Sequence, residues 1–312
     1  MNAHRISLDK TGHFSKLFLD YVNQDRKLSS FYKYSHSVNS LEQALKDISG
    51  HKFNRKLLVE VITEQYAKTS NCQLPTASSQ LLIKDDTYTV CTGHQLCVFT
   101  GPLYFIYKII STINLAEELK KKYPAYNFVP VYWMLGEDHD FAEVNHINLP
   151  GKKIEWKKKG GGAVGKYSTK GISDVIDEIK TILGNSENAT ELIGLFENAY
   201  NKHSDYSSAT RCLVNELFGN YGLVILDADD KRFKNEFTEI VRDDMFNHTN
   251  FKIINNTIAQ LKSNGYDAQV LPKEINFFLL SKNFRARIDA AKVESDPDEW
   301  RKKLETETER FS

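Results

Sequence analysis

The sequence predicts an α/β protein built around a parallel sheet. Three observations carry this. The run NFVPVYWML, residues 127–135, is almost wholly apolar, as expected of a strand buried on both faces. A β-branched stretch, DTYTVC at 86–91, and a long helical pattern precede it, so residues 87–135 spell strand, loop, helix, strand. That order is one right-handed βαβ unit. A third run, YGLVILDADD at 221–230, reads as another buried strand with acidic residues at its C-terminal end.

The remaining elements follow in order. Within 1–80, FSKLFLDYVN, VNSLEQALKDI and NRKLLVEVITEQYAK space apolar residues three to four apart and predict helices. The segment PLYFIYKIISTINLAEELKKKY predicts a helix of about six turns, with Pro102 in its first turn and a lysine-rich end that suits the negative pole of the helix dipole. The basic, glycine-rich PGKKIEWKKKGGGAVGKYS predicts a surface hairpin or a flexible flap. Helices are predicted again from ISDVIDEIKTIL, NATELIGLFENAY and SDYSSATRCLVNELFG, punctuated by Gly219 and Gly222, and then in 231–246 and 250–263. YDAQVL, NFFLL and FRARI read as short strands, and DPDEWRKKLETETERFS as a polar helix. The expected divisions are 1–80, a helical region packed on the core; 81–150, the first half of the core; 151–220, an insert with the glycine-rich flap; and 221–312, further core strands and helices.

Composition narrows the class. The 312 residues suggest about two domains, and 41 basic residues balance 41 acidic ones. Neutral charge gives no whole-protein pull toward nucleic acid or anionic lipid. A hydrophobic fraction of 41% supports a packed core rather than disorder. Cys72, Cys91, Cys97 and Cys212 form no CxxC pair and are expected to be reduced thiols, Cys91 and Cys97 as buried structural ones. The segment Leu96–Ala116 is too polar for a membrane span, and the N-terminus lacks the pattern of a signal peptide. A cytoplasmic location is expected.

Ligands of open parallel sheets sit outside the carboxyl ends of the strands, and two segments fall there. The first is VCTGHQLCVFTGPLYFIYK, residues 90–108, where Gly93 and Gly101 permit close backbone approach at a helix N-terminus, as in anion sites. Thr92, His94, Gln95 and Thr100 offer side-chain donors, and Lys108 lies farther along the helix. The pattern is neither GxxxxGK[ST] nor GxGxxG, and a tight turn capped by threonines is the competing reading. The second is GEDHDFAEVNH, holding Glu137, Asp138, His139, Asp140, Glu143, Asn145 and His146. Such a cluster suits a general base, an amine-binding site or a metal; a solvated loop is the alternative, and the lack of HExxH argues against a zinc protease. The acids of LDADD fit helix capping as well as chemistry. Arg285 and Arg287 alternate on one strand face and suit a carboxylate or phosphate, or are merely exposed.

TGHQLCVFTGPLYFIYKIISTINLAEEL followed by PVYWMLGEDHDFAEVNHI resembles the bacillithiol biosynthesis cysteine-adding enzyme (cysteine ligase) family. LFLDYVNQDRKLSSFYKY, YGLVILDADD, AQVLPKEINFFLL and RARI extend the resemblance along the chain. Position 94 is Gln in many relatives. The resemblance implies a Rossmann-like, nucleotidyltransferase-like nucleotide-binding core with inserted segments. It implies an amide-forming ligase that joins the carboxyl of L-cysteine to the amine of glucosaminyl-malate, giving bacillithiol. Family members are longer, continuing into the rest of the core and a coiled-coil arm, so homodimerisation is expected through a region outside these residues. Under this reading Thr92, Gly93, His94, Gln95, Thr100 and Gly101 hold nucleotide phosphate. Asp138, His139 and Asp140 handle the proton of the amine. Glu137, Asn145, His146, Arg285 and Arg287 contact substrate. ATP is the activator the fold invites; no metal, nucleic acid or membrane is expected. A nucleotide- or sugar-binding module without ligase activity, or a nucleotidyltransferase, remains the alternative.

Overall fold

The computed structural model describes residues 4–312 and divides into two compact units. The larger takes 54–239, 277–288 and 297–312; the smaller takes the described residues through Phe53, 240–276 and 289–296. In chain order the N-terminal helices are α1 (Lys16–Val22), α2 (Leu41–Ile48), α3 (Arg55–Ala67) and α4 (Thr76–Leu82). Then come β1 (Thr87–His94), α5 (Leu103–Lys122), β2 (Asn127–Met134), α6 (Phe141–Val144), β3 (His146–Leu149) and β4 (Lys152–Glu155). Three helices, α7 (Ile172–Leu183), α8 (Glu187–Tyr200) and α9 (Tyr206–Phe218), lead to β5 (Val224–Asp227). The chain closes with α10 (Lys231–Glu236), α11 (Thr238–Asn247), α12 (Thr249–Ser263), β6 (Phe278–Leu280), β7 (Arg285–Arg287), α13 (Ala290–Ser295) and α14 (Pro297–Thr306).

The expected α/β class, with a Rossmann-like parallel sheet, is what forms. β1, β2 and β5 lie in that order and all run parallel. β2 is central, and its Val129, Val131, Tyr132 and Met134 are 0–4% exposed. Pro130 sits one residue before pairing with β5 begins, where a missing N–H costs the ladder least. The register matters most for function: His94 pairs with Met134, and Met134 with Asp227. Three strands therefore end in one row, and the segments after them leave from one edge. Helix α5 connects β1 to β2, and Lys120 at its end donates to the carbonyls of Pro124 and Tyr126 at 3.0 Å each.

Several expectations change. Pro102 stands at the N-cap with extended backbone (φ −69°, ψ 147°), just outside the first turn. The 231–246 helix is two, broken at Phe237, which caps α10. YDAQVL forms no strand: among the described residues no segment pairs with it, and Leu271 is 85% exposed. Helices α4 and α13 escaped the periodicity because each is only six or seven residues long. The hairpin exists as β3–β4, but the glycine run after it is tightly packed. A Cβ on Gly161 would collide with the carbonyl oxygen of Asn283, and one on Gly162 would lie 2.7 Å from that of Ser281. In the smaller unit Asp244, fully buried, accepts from the Asn276 N–H at 2.7 Å and from Asn250 at 3.2 Å. Of the cysteines, Cys72, Cys97 and Cys212 are buried and free; Cys91 is free but exposed on β1, contrary to expectation. No helix among the described residues is long and apolar enough to cross a membrane.

Candidate active site

The common row of strand ends brings segments far apart in sequence to one edge. Gln95 follows β1 directly, and Gly136–Asp138 lie just beyond β2. The Gln95 amide donates to Asp138 at 2.6 Å and to Glu143 at 2.9 Å. Asp138 also accepts from the His139 N–H at 2.7 Å, lies 3.3 Å from His139 Nδ1, and meets Arg285 Nη1 at 3.5 Å. Burial works to raise the Asp138 carboxyl, but the Gln95 amide, the His139 N–H and the Arg285 charge outweigh it and hold it below the ordinary carboxylate value.

Arg285 arrives through the antiparallel β6–β7 pair. The register sets Phe278 opposite Arg287 and Leu280 opposite Arg285, and both guanidinium groups lie over the Phe278 ring, at 4.1 Å for Arg285 and 4.5 Å for Arg287. The alternation expected from FRARI is thus real: it stacks two planar cations on one ring and brings one of them, Arg285, beside the Asp138 carboxylate.

The 92–101 turn is engaged mostly with the protein itself. His94 is 7% exposed, its Nδ1 sits 3.0 Å from the Gln95 carbonyl, and its ring packs against Tyr104 and Phe105. Burial pushes its pKa down, and His94 sits as a buried ring of the turn. Cys97 N–H donates to Gln95, Gly101 N–H to Val98, and Phe99 N–H to the Tyr200 hydroxyl at 2.9 Å. Tyr132 donates to the carbonyls of His94 and Gln95, and Tyr206 to that of Leu96. Phe99, Thr100 and Gly101 all carry positive φ (51°, 69°, 52°); for the first two this conformation is costly and persists because the tyrosines hold it. Replacing Tyr200 with Phe leaves a buried Phe99 N–H unpaired and is expected to cost about 1–3 kcal/mol, read as a lower urea midpoint with unchanged slope; an unchanged midpoint would remove this role. Lys108 donates to the Gly93 carbonyl at 2.5 Å, a structural part. Thr92 is half-buried on β1.

The other expected residues divide. Asn145 is buried and donates to Glu155 at 3.1 Å and to the Trp156 carbonyl, while its side-chain oxygen lies 3.2 Å from His146 Nδ1. Both fasten the β3–β4 hairpin. Asp140 is exposed at the start of α6 and makes no side-chain cap. Glu137 does turn inward: its Oε2 is buried without a hydrogen-bond partner. Burial, and then the charges of Asp227 and Asp229, push its carboxyl up.

A cavity of about 260 Å³ opens beside it, lined by Gly136, Gly165, Lys166, Asp205, Ser207, Asp227 and Asp229. Asp227 was legible in LDADD only as an acid at a strand end; Asp230 takes the capping role, accepting from the Arg232 N–H at 2.9 Å. Ser207 donates to Asp227 Oδ2 at 2.9 Å and the Asp229 N–H to Oδ1 at 3.1 Å. Gln65 donates to the Asp227 carbonyl at 2.7 Å and accepts from its N–H and from the buried Arg211. Burial pushes the Asp227 carboxyl up, whereas Lys234 at 2.6 Å and Lys166 at 2.7 Å outweigh burial and hold that of Asp229 down. No periodicity or motif points to Ser207, Gly165 or Lys166; tertiary contact alone brings them here. Among the described residues no group of three or more His, Cys, Asp or Glu is placed to hold a metal ion.

Comparison with known proteins bears on this edge as a whole. The family model described as "Bacillithiol biosynthesis BshC, N-terminal Rossmann-like domain" matches residues 1–312. Curated relatives named "Putative cysteine ligase BshC" include one from Flavobacterium johnsoniae, 42% identical over 98% of this chain, and one from Flavobacterium psychrophilum, 44% identical over 91%. A third, from Christiangramia forsetii, is 43% identical over 92%. The chain covers 60%, 54% and 55% of these relatives' own lengths, little more than half.

Proposed function

This chain belongs to the BshC family of bacillithiol biosynthesis, and from that premise we propose that the full-length protein is an amide-forming ligase that adds L-cysteine to the amine of glucosaminyl-malate. The observation that carries the proposal is the convergence of Gln95, Asp138, His139 and Arg285 at the carboxyl edge of the parallel sheet. A free carboxylate is a poor electrophile, and an amine attacks only as the neutral base. One carboxyl oxygen therefore has to leave with an activating group, as from an acyl-phosphate or acyl-adenylate, while the site takes a proton from the amine and holds the acceptor in place.

Asp138 and His139 suit the removal of that proton. His139 Nδ1 lies 3.3 Å from Asp138 Oδ1 and 3.5 Å from Arg285 Nη1; in the tautomer that directs Nδ1–H at the carboxylate, the imidazole keeps its lone pair on Nε2, the atom that takes a proton from an incoming amine. Asp138, held ionised by Gln95 and Arg285, accepts from that Nδ1–H and stabilises the imidazolium that forms, the division of labour seen in catalytic triads. Arg285 and Arg287, stacked on Phe278, suit the two carboxylates of a malate group, for which a planar two-pronged donor is the matching partner.

The 92–101 turn fits a phosphate cradle poorly, because three of its N–H groups, the His94 ring and the Gln95 amide are engaged internally. No step is therefore routed through nucleotide phosphate, and the need for ATP is for the assay to measure. The full-length protein is mixed with glucosaminyl-malate and cysteine, with and without ATP, and bacillithiol is sought by mass spectrometry. Product formation is expected. Its absence under every nucleotide condition would sink the ligase reading, and release of pyrophosphate with an adenylated product would replace it with nucleotidyl transfer.

A further inference from the structure

The cavity between the ends of β2 and β5 is separate from the Asp138–Arg285 contacts, and its polar groups are unevenly satisfied. Asp229 is neutralised by Lys166 and Lys234. Asp205 is engaged in capping α9, accepting from the N–H and hydroxyl of Ser208 at 2.8 and 2.9 Å. Asp227 receives only one neutral hydrogen bond on each oxygen, and no cation lies within ion-pairing distance of it among the described residues. Glu137, next to the cavity-lining Gly136, has a buried oxygen with no donor at all.

An ionised carboxylate accepts about four hydrogen bonds, and a buried acceptor left without a donor is costly. What is missing is one compact group with several N–H donors and a positive charge. The enclosure is also small. At about 260 Å³ it falls below the ~300–1,000 Å³ of pockets for larger ligands. Its walls are rigid: Gly165 N–H donates to the Gly136 carbonyl at 2.8 Å and Val164 N–H to that of Asp138 at 2.7 Å. The space depends on two glycines. A Cβ at Gly136 would stand 2.8 Å from Asp227 Oδ2, and one at Gly165 would collide with Ser207 Oγ. At the rim, Lys166 is largely exposed while anchored to Asp229.

We propose that this cavity is the subsite for a small α-amino acid, its ammonium group held by Asp227 and its carboxylate met by Lys166. Such a ligand supplies the donors that the cavity-lining Asp227 carboxyl lacks, and a buried carboxyl with no cationic partner gains most from a cation beside it. Identifying the amino acid as cysteine rests on the ligase reading; recognition of an ammonium group does not.

Calorimetric titration of the full-length protein with L-cysteine and with 3-mercaptopropionate, which lacks only the ammonium group, tests this. Cysteine is expected to bind at least tenfold more tightly than 3-mercaptopropionate. Asp227→Asn should weaken cysteine at least tenfold, and Gly165→Ala, which fills the cavity without removing a charge, should do the same if the first variant fails to fold. Equal affinity for the two probes, undiminished cysteine affinity in the folded variants, or no amino-acid binding would overturn the assignment. If L-serine binds in an Asp227-dependent way and cysteine does not, the subsite stands and the cysteine reading falls. Coupling activity with cysteine affinity indifferent to Asp227 would sink the subsite and leave the ligase.

Discussion

Replacing Asp138 with Asn is expected to lower the proposed cysteine coupling by roughly 10²- to 10⁴-fold with the fold retained. The side chain keeps its size, and Gln95 still finds an oxygen to donate to. What disappears is the negative charge that Arg285 faces at 3.5 Å and that orients the His139 ring from 3.3 Å. The imidazole then loses its reason to carry the proton on Nδ1, and the imidazolium formed during proton transfer loses its counter-charge. Stability should respond with a definite sign. The folded Asp138 carboxyl lies below its unfolded value, so its contribution is present above the unfolded pKa and is lost as pH falls through the lowered folded one. The variant should therefore melt below the parent at pH 7, and the gap should close as pH drops through the carboxylate range, about 4 and below. Steady-state coupling rates with melting curves at two pH values decide the matter. Wild-type turnover in a well-folded Asp138→Asn variant would remove the dyad from the mechanism.

The parts of this edge that the sequence disclosed are those set by local rules. NFVPVYWML and YGLVILDADD are strands because an all-apolar run flanked by turns has little else to become, and parallel pairing follows from the helix between β1 and β2. Once the register is known, Gln95 and Asp138 must meet, although 43 residues separate them, since each lies just beyond a paired strand end. The burial of His94 against Tyr104 and Phe105 gave no sign in sequence, because a Thr-Gly turn looks alike whether it faces a ligand or an aromatic pair. YDAQVL misled because alternating character makes a strand only where a neighbour offers hydrogen bonds. Ser207, Gly165 and Lys166 carried no signal: their roles depend on how α9 and the 164–166 turn pack onto the strand ends. The glycine run 160–162 looked like flexibility in sequence and is close packing in three dimensions, because one residue type serves both purposes.

That run yields the second large effect. Gly161→Ala is expected to destabilise the larger unit by about 1–3 kcal/mol and to reduce coupling beyond what the stability loss explains. Its backbone lacks the positive φ of Gly162, so the penalty is steric: the new Cβ meets the carbonyl oxygen of Asn283, which is backbone and cannot swing aside. Asn283 belongs to the turn between β6 and β7, and Arg285 follows two residues later. Moving that turn should carry the guanidinium away from Asp138. The control is Gly194→Ala in α8, where a Cβ meets nothing within 4 Å. There the substitution should stabilise by about 0.5–1 kcal/mol and leave coupling intact. A double-mutant cycle separates the two consequences: if Gly161 acts by positioning Arg285, the combination with Arg285→Ala should lose little more activity than Arg285→Ala alone. Additive losses would show that the glycine run supports the fold without aiming the arginine, and the link from KKKGGG to the chemistry would be broken.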